Sequence, residues 1–172
     1  ENTLESLLLT PVSKKNLVFA KYLGVLLIGM LLYFTSVPYI VAIGIGSGIA
    51  LRAVFMTFFG GVLLLLSFVA ISIILSIVMK SSKASVLTSI LIMIVLTLPA
   101  LIQGIFNLSA VGTFILKLDP VACCFNMMTK MLTDRASVFT LGNYIFPLVL
   151  FALISLGLLY AASGKIALKG EK

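Results

Sequence analysis

Four long apolar runs organise the chain: Tyr22 to Ile45, Val54 to Val78, Val86 to Phe106 and Leu141 to Ala162. None contains a charged residue. A helix needs about 20 apolar residues to cross a hydrocarbon layer about 30 Å thick, because each residue advances about 1.5 Å. Every run meets that length. Lipid offers no partner for an unpaired backbone amide, so helices are the form in which such runs cross. The pattern predicts an all-α, polytopic membrane bundle. Its transmembrane domain covers residues 22–162, with spans at 22–45, 54–78, 86–106 and 141–162.

The polar stretches between the runs differ in character. Gly46 to Ala53 is a short loop, whereas 107–140 is long enough to hold helical structure of its own. Asp119 and Pro120 form a helix start, an acceptor at the cap followed by proline at the first helical position. Beyond them Val121, Cys124, Phe125, Met128, Met131 and Leu132 recur at helical spacing, opposite Asn126, Thr129, Lys130 and Thr133. This predicts an amphipathic helix lying in, or dipping into, the membrane interface.

Composition agrees with the runs. Hydrophobic residues make up 62% of the 172 and charged residues 10%, against about 25% charged in soluble domains. The lipid bilayer is thus an expected partner. The net charge of +7 does not point to nucleic acid, since the basic residues lie between the runs and not on one patch. Lys14, Lys15, Lys21, Lys80, Lys83, Lys165, Lys169 and Lys172 fall on one side of a four-span arrangement; Arg52, Lys117, Lys130 and Arg135 fall on the other. Positive charge concentrates on the cytoplasmic side. Both termini of this integral membrane segment are therefore expected in the cytosol, with a cytoplasmic tail at 163–172. The sequence begins at Glu1 without an initiator methionine or a signal-peptide pattern, and reads as part of a longer chain.

Enzymatic chemistry has few candidates. Histidine is absent, which removes the commonest general base and metal ligand. Gly164-Lys165 is followed by isoleucine and lacks the earlier glycine of a phosphate-binding loop. Cys123, Cys124, Met127, Met128 and Met131 could supply soft ligands for copper(I), but methionine on an apolar helix face is ordinary packing material, and no metal site is assigned. The spans offer only mild polarity: Thr35, Ser36, Ser67, Ser72, Ser76, Ser89, Thr97 and Ser155. Such groups bond back to their own helix or to a neighbour. With no acid or histidine in any span, an ion-driven cycle within this chain is not expected.

The first twenty-one residues are the most informative. Asn2 can cap a helix and Glu5 can answer it, as in a capping box. Leu4, Leu7 and Leu8 then share one face, and Pro11 stops the helix. Ser13 can cap a second helix that runs through Lys14 and Lys15 into the first span. The pattern alone fits a surface anchor as well as a docking element. The residues Glu1-x-Thr3-Leu4-Glu5-x-Leu7-Leu8-x-x-Pro11-Val12-Ser13, with Lys21 at the mouth of a span, resemble the cytoplasmic loop of the permeases of type-2 ATP-binding-cassette (ABC) exporters. The resemblance extends to four further spans with helical elements on the outside before the last. Asn2 departs from it, standing where a glycine often precedes the threonine-leucine-glutamate run. The family's first two spans would precede this sequence.

The resemblance implies a function. Residues 1–21 would be a coupling-helix loop in which Thr3, Leu4, Glu5, Leu7, Leu8 and Pro11 dock on a cytoplasmic ABC ATPase. The leucines would fill an apolar cleft, and Glu5 would meet a basic residue or cap the helix. ATP and Mg would be bound in that partner, with no cofactor in this chain. A second permease, a copy or a homologue, would complete the substrate path in a prokaryotic plasma membrane. The alternative is a helical membrane scaffold or assembly subunit without a transport path. The helix breakers add an expectation about motion. Pro38, Gly60, Gly61, Pro99 and Pro147 each lie on the order of 10 Å of helix from the outer surface, and prolines and paired glycines are where helices bend. An outer gate or hinge is expected at that level.

Overall fold

The computed structural model describes residues 14–46, 48–79, 81–133 and 138–163. Helix α1 is Lys14–Ile45, α2 is Ala50–Val78 and α3 is Ser82–Leu101. The short α4, Gln103–Phe106, leads into α5, Ala110–Leu118, and α6, Pro120–Thr133. A 3-10 turn, Val138–Leu141, precedes α7, Gly142–Ser163. No strand occurs among the described residues. Four of the helices, α1, α2, α3 and α7, are long and apolar enough to cross a membrane.

The turns follow from local chemistry. Gly48 adopts φ +70°, a left-handed conformation that a side chain resists, and lets α1 reverse into α2 within a few residues. Ser81 caps α3 by accepting from the Ala84 amide, and Ser109 caps α5 by accepting from the Gly112 amide at 2.9 Å. Gly112 also lies directly against the backbone of Phe106, where a Cβ would collide. That close approach folds α5 back onto α4.

Helix α2 is the hub, packing against α1, α3, α6 and α7. Two tyrosines of α1 fix its register on α2: Tyr22 donates to the Leu66 carbonyl at 3.1 Å and Tyr33 to the Val54 carbonyl at 2.7 Å. Each phenol thereby satisfies its hydroxyl while its ring stays in apolar surroundings. Val18 and Tyr22 join Val69, Ala70, Ile73 and Leu159 in a buried cluster. Lys15 lies over the Tyr160 ring, 4.3 Å from its centroid, with its ammonium 3.1 Å from the hydroxyl. The start of α1 and the end of α7 thus share one end of the bundle, which also carries Lys21 and Lys83 and is here termed the lysine-rich end.

Three features depart from the expectations drawn from sequence. The third apolar run, 86–106, is not one helix: α3 closes at Leu101, Ile102 leaves the helical region at φ −113° and ψ 36°, and α4 follows. Helix α5, not anticipated, occupies part of 107–140. Helix α6 begins at Pro120, where the Asp119–Pro120 pair predicts a start, and it packs between α2, α3 and α7 instead of standing apart from the bundle. Its buried face is consequently wider and rotated from the predicted one: Ala122, Cys123 and Met127 are fully buried, while Phe125 is 56% exposed. The amphipathic pattern shows where charge is tolerated, and it underestimates burial when three neighbours enclose a helix.

Helices α5 and α6 meet at an angle of 87° across Asp119. Met127 and Met131 pack with Ala53 and Leu141 near the far ends of α2 and α7, whereas Cys123 and Cys124 pack with Leu148, Leu63 and Leu64 further in. Since α5 starts beside Phe106 at that same far end, α5 and α6 enter and leave by one side. The pair is a bent hairpin with both its ends at the far end of the bundle.

The seat of α6 is Gly60. A Cβ there would come within 2.9 Å of both the Cys124 sulfur and the Met127 methyl, whereas one on Gly61 would meet nothing within 4 Å. Gly60→Leu should therefore expel α6 and cost about 1–3 kcal/mol, read as a lowered melting temperature and faster maleimide labelling of Cys124. Gly61→Leu should leave both measurements unchanged.

Candidate functional site

The candidate residues fall into two groups. Thr3, Leu4, Glu5, Leu7, Leu8 and Pro11, together with the cap at Ser13, lie outside the described residues. The helix breakers lie within them, and the hairpin brings their surroundings together. Pro38, Pro99 and Pro147 each sit inside a helix, α1, α3 and α7 respectively. Ile40, just past Pro38, packs on the cluster that holds Met127 and Met131. Ala100, beside Pro99, packs with Leu116 and Ala122. Leu148, beside Pro147, packs with Cys123 and Cys124. Gly60 touches α6 directly, and Gly61 faces away. The breakers of all four long helices thus lie beside one wedge.

About 27 Å of helix separate Gly60 from the end of α2, and about 22 Å separate Leu148 from the end of α7. The tip of the hairpin thus lies beside the far halves of α2 and α7, and α6 runs from it to their far ends. Lys130, near that far end, lies 5.2 Å from the centroid of the Tyr144 ring.

At the tip stands Asp119, the one acidic side chain among the described residues. Its Oδ1 accepts from the Val121 amide at 3.1 Å, and its carbonyl accepts from the Cys123 amide at 2.9 Å. Only 7% of the residue is exposed, and Oδ2 has no hydrogen-bond partner among the described residues. The Gln103 amide nitrogen is likewise buried without a partner there. Its neighbours Ala100 and Phe106 belong to the same cluster as Leu116 and Ala122, which flank Asp119. An unmet donor and an unmet acceptor thus border one apolar contact between α3 and the hairpin. The proline after Asp119 marks the turn, but nothing in the spacing marks the burial of Asp119 or of the Gln103 amide.

The hydroxyls of the spans turn back onto their own helices. Ser67 donates to the Leu63 carbonyl, Ser89 to Ser85, Thr97 to Met93 and Ser155 to Ala152. Thr35 and Ser36 do the same to Leu32 and Tyr33. The two thiols diverge as well. Cys123 points to the carbonyls of Leu116 and Lys117, at 3.6 and 3.3 Å, whereas Cys124 faces Gly60. They fill space at two different contacts.

Four long apolar helices, a break after the third and a hairpin before the last place the chain among polytopic membrane proteins. Comparison with known families adds its kinship. A family model described as "ABC-2 family transporter protein" matches residues 1–161. No curated protein and no solved structure matches the chain significantly. The family match covers all four long helices and the hairpin, and on that ground the chain belongs to the ABC-2 family of transporter permeases.

Proposed function

We propose that this permease moves a substrate out across the membrane with energy from ATP hydrolysed in a separate cytoplasmic ABC ATPase, where ATP and Mg are bound. The observation that carries this reading is the family match, which begins at residue 1 and so includes the segment with Thr3, Leu4, Glu5, Leu7, Leu8 and Pro11. The charge pattern supports a cytoplasmic position for that segment, since eight lysines gather on its side of the spans. A second permease, a copy or a homologue, supplies the other wall of the path. The broad apolar faces of α1 and α3, which carry exposed Leu27, Leu31, Leu87 and Leu91 among others, give room for both a partner and lipid.

A continuous set of contacts supports a route from the coupling segment to the gate. The segment leads into α1. Tyr22 and Tyr33 lock α1 to α2, and α2 carries the Gly60 seat of α6. A displacement of α1 therefore carries α2 with it and reaches the hairpin without crossing a loose joint. The prolines beside the hairpin let the far ends of α1, α3 and α7 bend away from it, and withdrawal of the wedge opens the outer side.

Two experiments test this reading. Leu7→Asp should abolish co-purification with the ATPase and transport while leaving the melting temperature of the permease unchanged; retained ATPase binding and transport would remove the docking assignment. Pro38→Ala combined with Pro99→Ala should hold the far side in one state, lowering transport at least tenfold with the ATPase still bound. Undiminished transport in that variant would remove the gate.

A further inference from the structure

Near the lysine-rich end the bundle carries a groove of about 340 Å³ that the hairpin does not line. Helix α1 contributes Lys21 and Val25, α2 contributes Phe68 and Ser72, and α3 contributes Ser89 and Met93. Its volume is in the range of about 300–1,000 Å³ found for ligand sites. Apart from Lys21, the polar side chains along it are Ser72 and Ser89, and the hydroxyl of Ser89 is turned to the Ser85 carbonyl. The groove is therefore an apolar trough with one cation.

The position of that cation is unusual. Tyr22, the next residue, bonds to Leu66 and packs on Val69 and Ile73. Lys21 thus starts level with a stretch of α2 that lies about 8–18 Å of helix above the end at Val78. A lysine rooted there extends its stem to bring the ammonium toward the headgroup layer. Beneath the ammonium, the apolar walls from α2 and α3 run on into the membrane.

Two kinds of surface meet in one trough, and a single occupant satisfies both. A soluble anion would leave the apolar walls uncovered. A zwitterionic lipid would bring no net charge to the ammonium. A neighbouring spanning helix of a second copy would bring no acid, since the four spans contain none. We propose that the groove holds one anionic phospholipid, its phosphate against Lys21 and an acyl chain along Val25, Phe68 and Met93. Basic pockets between membrane helices take anionic headgroups in this way. The site stands apart from the ATPase reading, because it depends on the α1, α2 and α3 surfaces alone.

Native mass spectrometry of the purified chain in detergent, with added dioleoyl phosphatidylglycerol or dioleoyl phosphatidylcholine, tests the proposal. The unaltered chain should retain one phosphatidylglycerol about fivefold more strongly than phosphatidylcholine, the discrimination that about one lysine contact gives. Lys21→Ala should abolish the preference and Lys21→Arg should keep it. Ser89→Phe, which fills the trough and leaves the charge, should lower retention of both lipids. Lys83→Ala, at the same end but outside the groove, should change nothing, and inorganic phosphate should not displace the lipid. The proposal is overturned if Lys21→Ala keeps the preference, if Lys83→Ala loses it equally, or if phosphate competes. A shift from dimer to monomer in Ser89→Phe with lipid retention unchanged would make the groove a contact between copies, and would equally overturn it.

Discussion

The contact between Gly60 and the pair Cys124 and Met127 is the constraint on which the far half of the molecule depends. Within a membrane, apolar burial gives helices little reason to prefer each other over lipid, so close packing and hydrogen bonds must hold them. A glycine allows that closeness. Because α2 has no side chain at Gly60, α6 can approach its backbone and also reach α3 and α7. Remove that approach and the hairpin has no place inside the bundle. The cluster of Ala53, Met127, Met131 and Leu141 and that of Cys123, Cys124 and Leu148 exist only because α6 is seated.

The near half is held differently. There α1, α2 and α7 meet through Tyr22, Val69, Ala70, Ile73 and Leu159, with a phenol bonded to a helix carbonyl and an ammonium over a ring. These contacts are directional, and they fix the register of α1 on α2. The near end is thus held by polar anchors within apolar surroundings, and the far end is filled by the side chains of α6 beside the Tyr33 bond to Val54.

The spans were legible because a charge-free run of some twenty residues has one stable fate in a bilayer. The start of α6 was legible for a similarly local reason, since Asp119 and Pro120 act on their own backbone. What escaped was everything decided by neighbours. Ile102 lies between Pro99 and the pair Gln103 and Gly104 inside a run long enough for one span, and the end of α3 at Leu101 was not read from those residues. Gly60 and Gly61 look equivalent in sequence, yet one is a seat and the other faces open space. The helical spacing of α6 marked Phe125 as inward and passed over Met127, because a two-sided pattern cannot describe a helix enclosed on three. The burial of Asp119 escaped for the same reason: the length of a loop says nothing of its neighbours. The resemblance carried by residues 1–13 rests on sequence and family, as those positions lie outside the described structure.

The hydroxyl groups of the long helices have one further consequence. Ser67, Ser89, Thr97 and Ser155 each give their proton to a carbonyl one turn back. These four hydroxyls have placed their protons within their own helices, so what each still offers a neighbour is an acceptor lone pair.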